Sequence, residues 1–527
     1  MSIHVKKFIN VVLISFLFSN IAIAQDNYRA RYGHAEMEIS CDVSAKTAFT
    51  LGLLQLHSFA WEIARESFHQ AADIDKECAM AYWGVAMSYY DSLHEHPSDG
   101  EVELARQALQ QAQSAVNKNN REQAYINAAS EIYRDYPDVE RVIRDRYYNQ
   151  AMARIKQDFP DDDEATIFHA LSMLALARRG EDDGLLIQAA NILEPMFKRL
   201  PEHPGIAHYL IHAYDDSGER DLGIDAAKRY AGIAPLMTHA QHMPAHIFAG
   251  IGMWNESNVS NSGALEANPN YYHSLMYLVY GHLQLGQWSR ARELTDKLNT
   301  LAYSEQGDRA ERRGLHSVNT WLLLETRDWE AAAIAPMHSD AGLDSAETLY
   351  VRGMGLARTG KPAEALQALN SINDLLEKMT RLNDSGIAVR TQLVKIMAKE
   401  VEASIAMAND EHDRAIQLMR EATEIEDAPG VNRAPPDSGT GLPAHEVFGE
   451  ILLKLGQNEA AIAQFRLALK RTPNRLHSVR GMAKAAEAAG DLTLAKQQYV
   501  RLLDLLDDAD TGFHITAEAN SFIESLR

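Results

Sequence analysis

Cysteine is nearly absent. Cys41 and Cys78 are the only two in 527 residues. Neither sits in a C-x-x-C motif, so the chain encodes no thiol redox centre and no cysteine-based zinc site. Basic residues are in deficit, with 51 Lys and Arg against 73 Asp and Glu and a net charge of −22. That balance disfavours nucleic acid or an anionic membrane as partner, since phosphate rewards Lys and Arg. Glycine, at 30, and proline, at 16, are too few for a collagen-like or disordered chain. Past the N-terminus no apolar run is long enough to span a bilayer. There is no nucleophile elbow, phosphate loop or dinucleotide fingerprint, hence no nucleotide cofactor motif. The stretch HEVFGE fails as a zincin motif because Gly449 stands where its second histidine would be.

What is present begins with a leader. Lys6 and Lys7 precede an apolar run from Phe8 to Ile21, and Ala22-Ile23-Ala24 offers a small-residue cleavage site. Residues 1–24 read as a secretory signal peptide, which predicts export to a periplasm or secretion. Cleavage removes two lysines and no acid, moving the net charge from −22 to −24. An oxidising compartment and an even cysteine count predict a Cys41–Cys78 disulfide, tying the N-terminal segment to the end of the first helical hairpin. Two buried free thiols are the alternative.

The rest is periodic. Gly218, Gly252 and Gly286 are spaced by 34 residues, as are Gly456 and Gly490, and alanines recur at fixed offsets behind them (Ala264; Ala461 and Ala468). A 34-residue unit of two antiparallel helices with a glycine turn resembles the tetratricopeptide repeat. The resemblance implies an all-α chain, a right-handed α-solenoid of roughly ten to twelve stacked helical hairpins. The solenoid is expected over residues 25–426, with degenerate repeats at 99–200. A Pro/Gly-rich loop, a linker or a lid, follows at 427–444, and further repeats at 445–527.

The histidines share this register. His208 and His242 are 34 apart, as are His212 and His246, and so are His239 and His273. Within a helix an i, i+4 pair lies on one face. Equal offsets in adjacent repeats lie side by side, so His208, His212, His242 and His246 are expected to form a two-by-two cluster. The tetratricopeptide resemblance places these residues, with His239 and His273, at positions lining a concave groove, and Ile211 and Ala245 at packing positions. Neutral imidazoles suit Zn, Cu, Fe or Ni. Asp215 and Asp216 are candidate catalytic proton acceptors, further ligands or acceptors behind a ligand. His57, His94 and His96 are additional candidates, whereas His69, His169 and His412 read as surface or satisfied core residues. Pro244 suits a first helical turn, which would put His242 in the cap region. Near the C-terminus, Glu446 and Glu450 fall at the offsets of Arg480 and Lys484 one repeat on, a pattern predicting cross-repeat ion pairs.

Several stretches also resemble a group of exported bacterial tetratricopeptide proteins: Ser40-Cys41, His57-Ser58-Phe59, Cys78-Ala79-Met80-Ala81-Tyr82-Trp83-Gly84, HYLIHAYDD and HMPAHIF. That likeness implies a fold and no reaction. Two functions follow as expectations. One is a His-rich, metal-binding centre that, as an enzyme, activates water against a small polar substrate. The other is a non-enzymatic scaffold holding a protein or peptide in the groove.

Overall fold

The computed structural model describes residues 30–526, apart from 94–96, 179–183, 306, 308, 338–344, 383–386, 429, 432–435 and 437–440. The predicted leader, His94, His96 and half of the 427–444 loop lie outside the described residues. Among the described residues the regular elements are all helices, with one isolated bridge between Cys78 and Asn117. Most consecutive helices are joined by short turns and pack on one another, which makes the chain an α-solenoid. The expected turn glycines do what their spacing predicts. Gly218, Gly252, Gly286, Gly456 and Gly490 all have φ between 68° and 80°, a conformation glycine adopts without steric cost.

One packing device recurs. Phe68, fully buried, lies where a Cβ on Gly52 would come within 2.8 Å of its ring, and one on Gly84 within 2.3 Å. Phe465 meets Gly449 and Gly481 in the same manner, at 2.9 Å and 2.3 Å. In both cases a phenylalanine on the second helix of a hairpin fills the notch left by glycines on the helices either side. Truncating either ring to alanine would cost roughly 3–5 kcal/mol by cavity formation.

The chain divides into two compact units, residues 1–247 with 266–268, and residues 248–265 with 269–527. In the first unit an N-terminal segment straps the opening hairpin in place. The His34 N–H donates to the Glu202 carbonyl (2.9 Å), and Gly33, at φ 85°, passes where a Cβ would stand 2.7 Å from that oxygen. At its other end the Ser40 N–H donates to Glu122 (2.5 Å), and Cys41 is disulfide-bonded to Cys78 with Cα atoms 4.7 Å apart. The strap holds the helix Val43–His57 against the helix Pro204–Ser217, more than 140 residues away in sequence.

The second unit has an ionic centre in place of a strap. Arg475 is completely buried, donates to both oxygens of Glu446 (2.8 and 3.0 Å) and reaches Glu325 (2.8 Å). Arg327 bridges Glu446 and Glu450 at 2.9 and 2.6 Å, and Arg358 holds Glu450 at 2.8 Å. Arg480 and Lys484 pair with Glu518. The expected pairing of Glu446 and Glu450 with Arg480 and Lys484 is therefore replaced. All four residues are ion-paired, but with arginines and an acid from elsewhere in the unit, because Glu446 is buried beside Arg475.

Candidate metal centre

The helix Pro204–Ser217 is defined at both ends. His203 caps its N-terminus, with Nδ1 accepting the Ile206 N–H (3.3 Å), Pro204 fills the first helical position, and Gly218 closes it in the left-handed conformation. The helix brings His208 and His212 onto one face, with Nε2 atoms 3.1 Å apart. His239, on the short helix Thr238–His242, places its Nε2 3.0 Å from that of His208. Ligand atoms of these three residues all lie within 4.8 Å of one another.

The proton on His208 is fixed by its surroundings. Its Nδ1 lies 2.7 Å from the main-chain carbonyl oxygen of His57, which can only accept. In the neutral ring Nε2 then carries a lone pair, aimed at the other two imidazoles. One lone pair serves one N–H well, whereas a cation can be shared by three. Ligands 2.0–2.1 Å from one ion, at 90–109° to each other, stand about 2.8–3.4 Å apart, and the two separations from His208 Nε2 fall in that range.

Aromatic rings enclose the triad. The Phe59 centroid lies 4.3 Å from that of His208, 5.7 Å from His239 and 5.8 Å from His212, and Tyr230 stacks on His208 at 5.2 Å. Phe59 has φ 53°, a conformation costing a bulky residue about 1–3 kcal/mol.

Behind the triad sits a second buried group, His57–Glu164–His203. Glu164 accepts from His57 Nε2 (2.9 Å) and His203 Nε2 (3.0 Å), and Tyr209 meets His57 Nδ1 at 2.9 Å. Burial pushes the Glu164 carboxyl up, but the two imidazoles override it and hold it well below the usual carboxylate range. Burial lowers the His57 imidazole, against the opposing pull of Glu164. Every ring nitrogen here has a protein partner, so this group reads as a brace. It fixes His57, whose carbonyl fixes His208. Gly205 makes room for it, since a Cβ there would stand 2.4 Å from His57 Nδ1.

His242 and His246 meet each other in turn, with Nε2 atoms 3.0 Å apart. The chain breaks helix between them, because Pro244 opens the next helix, Pro244–Gly250, and the pair still meets. Asp215 accepts from His246 Nδ1 (3.2 Å) and from Arg220 (2.6 Å), while Asp216 is held in a fork by Arg178 (2.8 Å twice).

The expected two-by-two cluster is thus not made as one group: His239 joins His208 and His212, and His242 and His246 fall in a different group. Nor do the histidines line an open groove: His208, His212 and His242 are 0–2% exposed. Their helices meet other helices on that face, and only His239, His246 and His273 are partly exposed. Ile211 and Ala245 are buried, as their packing positions require. His273 belongs to the second unit, on the helix Tyr272–Gln284, with its ring 5.3 Å from Tyr277. His69 and His412 are exposed and His169 is buried; none joins a ligand cluster among the described residues. Sequence reading missed Glu164, hidden in the acidic run DDDE, and the enclosing role of Phe59.

No family model matches the chain, and no curated protein matches it. Among solved structures, a complex of Naa15 and Naa10 bound to HypK-THB aligns at 13% identity with TM-score 0.25, covering 92% of this chain and 73% of that one. A human IFIT1 dimer with PPP-AAAA aligns at 13% identity with TM-score 0.34, covering 92% and 100%. Likeness at this level carries no functional inference.

Proposed function

We propose that this is an exported protein of the tetratricopeptide type whose His208, His212 and His239 hold a divalent transition-metal ion of the Zn, Cu, Fe or Ni class. The observation carrying this is the placing of His239 Nε2 and His212 Nε2 at 3.0 and 3.1 Å from His208 Nε2, with ligand atoms of all three residues within 4.8 Å of one another and the tautomer of the central ring fixed by the His57 carbonyl. Three neutral imidazoles leave coordination positions open, the arrangement of catalytic rather than closed structural sites. A bound ion would lower the pKa of a coordinated water to about 7 and polarise an oxygen of a small polar substrate. The chain's own part is to hold the three lone pairs in place and, through Phe59 and Tyr230, to surround them with apolar surface. Export fits the leader at 1–24 and the Cys41–Cys78 disulfide.

The test is metal content. Mature protein without a His-tag is loaded with Zn, Cu, Fe or Ni, desalted and assayed for metal per chain. His239→Ala and His212→Gln should each lower affinity by at least tenfold while helical content holds. A wild type retaining no stoichiometric metal overturns the reading and leaves a peptide-binding scaffold as the simpler one.

A further inference from the structure

We propose that His242 and His246 hold a second metal ion beside the first, so that the chain carries a two-ion centre. This rests on the reading that the triad binds an ion and extends it to residues outside the triad.

Two observations carry it. The His242–His246 contact has the geometry of the triad: Nε2 atoms 3.0 Å apart, the separation of neighbouring ligands on one ion. And the pair has its own orienting device. His246 Nδ1 lies 3.2 Å from an Asp215 oxygen, which accepts the Nδ1 proton and turns the Nε2 lone pair towards His242. Arg220 anchors the other Asp215 oxygen at 2.6 Å, so the carboxylate is itself held. The triad takes its orientation from a different oxygen, the His57 carbonyl. Each set carries its own device, from helices positioned by different parts of the first unit.

The sets are neighbours. His239 of the triad and His242 of the pair have ring centroids 6.4 Å apart. Two imidazoles fill only part of an ion's coordination shell, which leaves positions for further donors. Two ions side by side can be bridged by one oxygen donor. The carboxylate behind His246 raises the basicity of that ring and makes it the stronger ligand of the pair. Without an ion, His242 can donate an N–H to His246; the experiment separates that hydrogen bond from a second site.

Full-length mature protein is titrated with Zn(II) or Cu(II) and the bound equivalents counted, for wild type, His246→Gln and Asp215→Asn. Thermal unfolding of the metal-free variants checks that each is folded. Two equivalents are expected for wild type and one for His246→Gln. Asp215→Asn should keep two in excess metal, with the second bound 10–100-fold more weakly. In the Cu(II) form the paramagnetic resonance of wild type should be broadened by spin coupling, and His246→Gln should restore an isolated Cu(II) signal. One equivalent in wild type, unchanged by His246→Gln, overturns the second ion and leaves the first intact. Loss of all metal in a folded His246→Gln variant also overturns it, in favour of one shared centre. No metal in wild type removes both readings. Two equivalents with uncoupled spectra overturn adjacency.

Discussion

The Nδ1 of His208 is hydrogen-bonded to the main-chain carbonyl of His57, 151 residues earlier in the chain, over 2.7 Å. That contact joins the first described helix to the one carrying the His208–His212 pair. Through it the buried Glu164 brace determines which nitrogen of His208 faces the other imidazoles.

Gly205→Ala should disturb the centre without touching a ligand. The added Cβ would lie 2.4 Å from His57 Nδ1, so His57 and its carbonyl must shift. Metal affinity is expected to fall 10–100-fold, the usual cost of losing an orienting partner, and stability by about 1–3 kcal/mol from overpacking. Competition with a chromophoric chelator measures the first and urea unfolding the second. Unchanged affinity would show that His57 does not position His208.

Folding stability should decline in mild acid. The folded state holds His57 below its ordinary 6.5, chiefly by burial, and His477 well below it for the same reason. As pH falls through 6.5 the unfolded chain takes up protons that the folded chain refuses, which favours unfolding. Glu164, held below its ordinary 4.5 despite burial, continues the decline once the pH drops below that value. Urea midpoints at pH 8, 7, 6 and 5 should be flat between the first two and fall thereafter. A maximum at pH 5 would contradict this assignment.

Reducing the Cys41–Cys78 disulfide should loosen the strap. It closes 37 residues of chain, a constraint worth about 4 kcal/mol in the chain-entropy model. The double variant Cys41→Ser, Cys78→Ser is expected to unfold at lower temperature and bind metal more weakly, since the strap seats the helix that ends in His57. Two free thiols titrated in denatured, unreduced wild type would show that the bond does not form.

Arg475→Met should cost about 3–5 kcal/mol, because it leaves Glu446 and Glu325 buried without their common partner. Metal content should not change, as the candidate ligands of the first ion belong to the first unit. Unfolding monitored with metal-loaded protein separates the two effects.

Much of this was legible along the chain. The 34-residue spacing of Gly218, Gly252 and Gly286 marks turns that the structure makes, because positive φ at a fixed interval leaves few residue choices. The i, i+4 spacing of His208 and His212 specifies one helical face, and the even pair of cysteines matches a disulfide. Glu164, Phe59 and His203 were not legible. Each has a partner at least 39 residues away, and Glu164 looks like its acidic neighbours until burial beside His57 and His203 singles it out.

By itself, then, the sequence determined the helical repeat and the candidate imidazoles, because helix periodicity and turn chemistry are local properties. Tertiary structure decided how those imidazoles are grouped. The strap and disulfide seat His57 against the helix Pro204–Ser217, and its carbonyl and Asp215 set the tautomers of His208 and His246. Which lone pairs meet depends on which oxygens the far ends of the rings find, and that is settled only when distant helices pack.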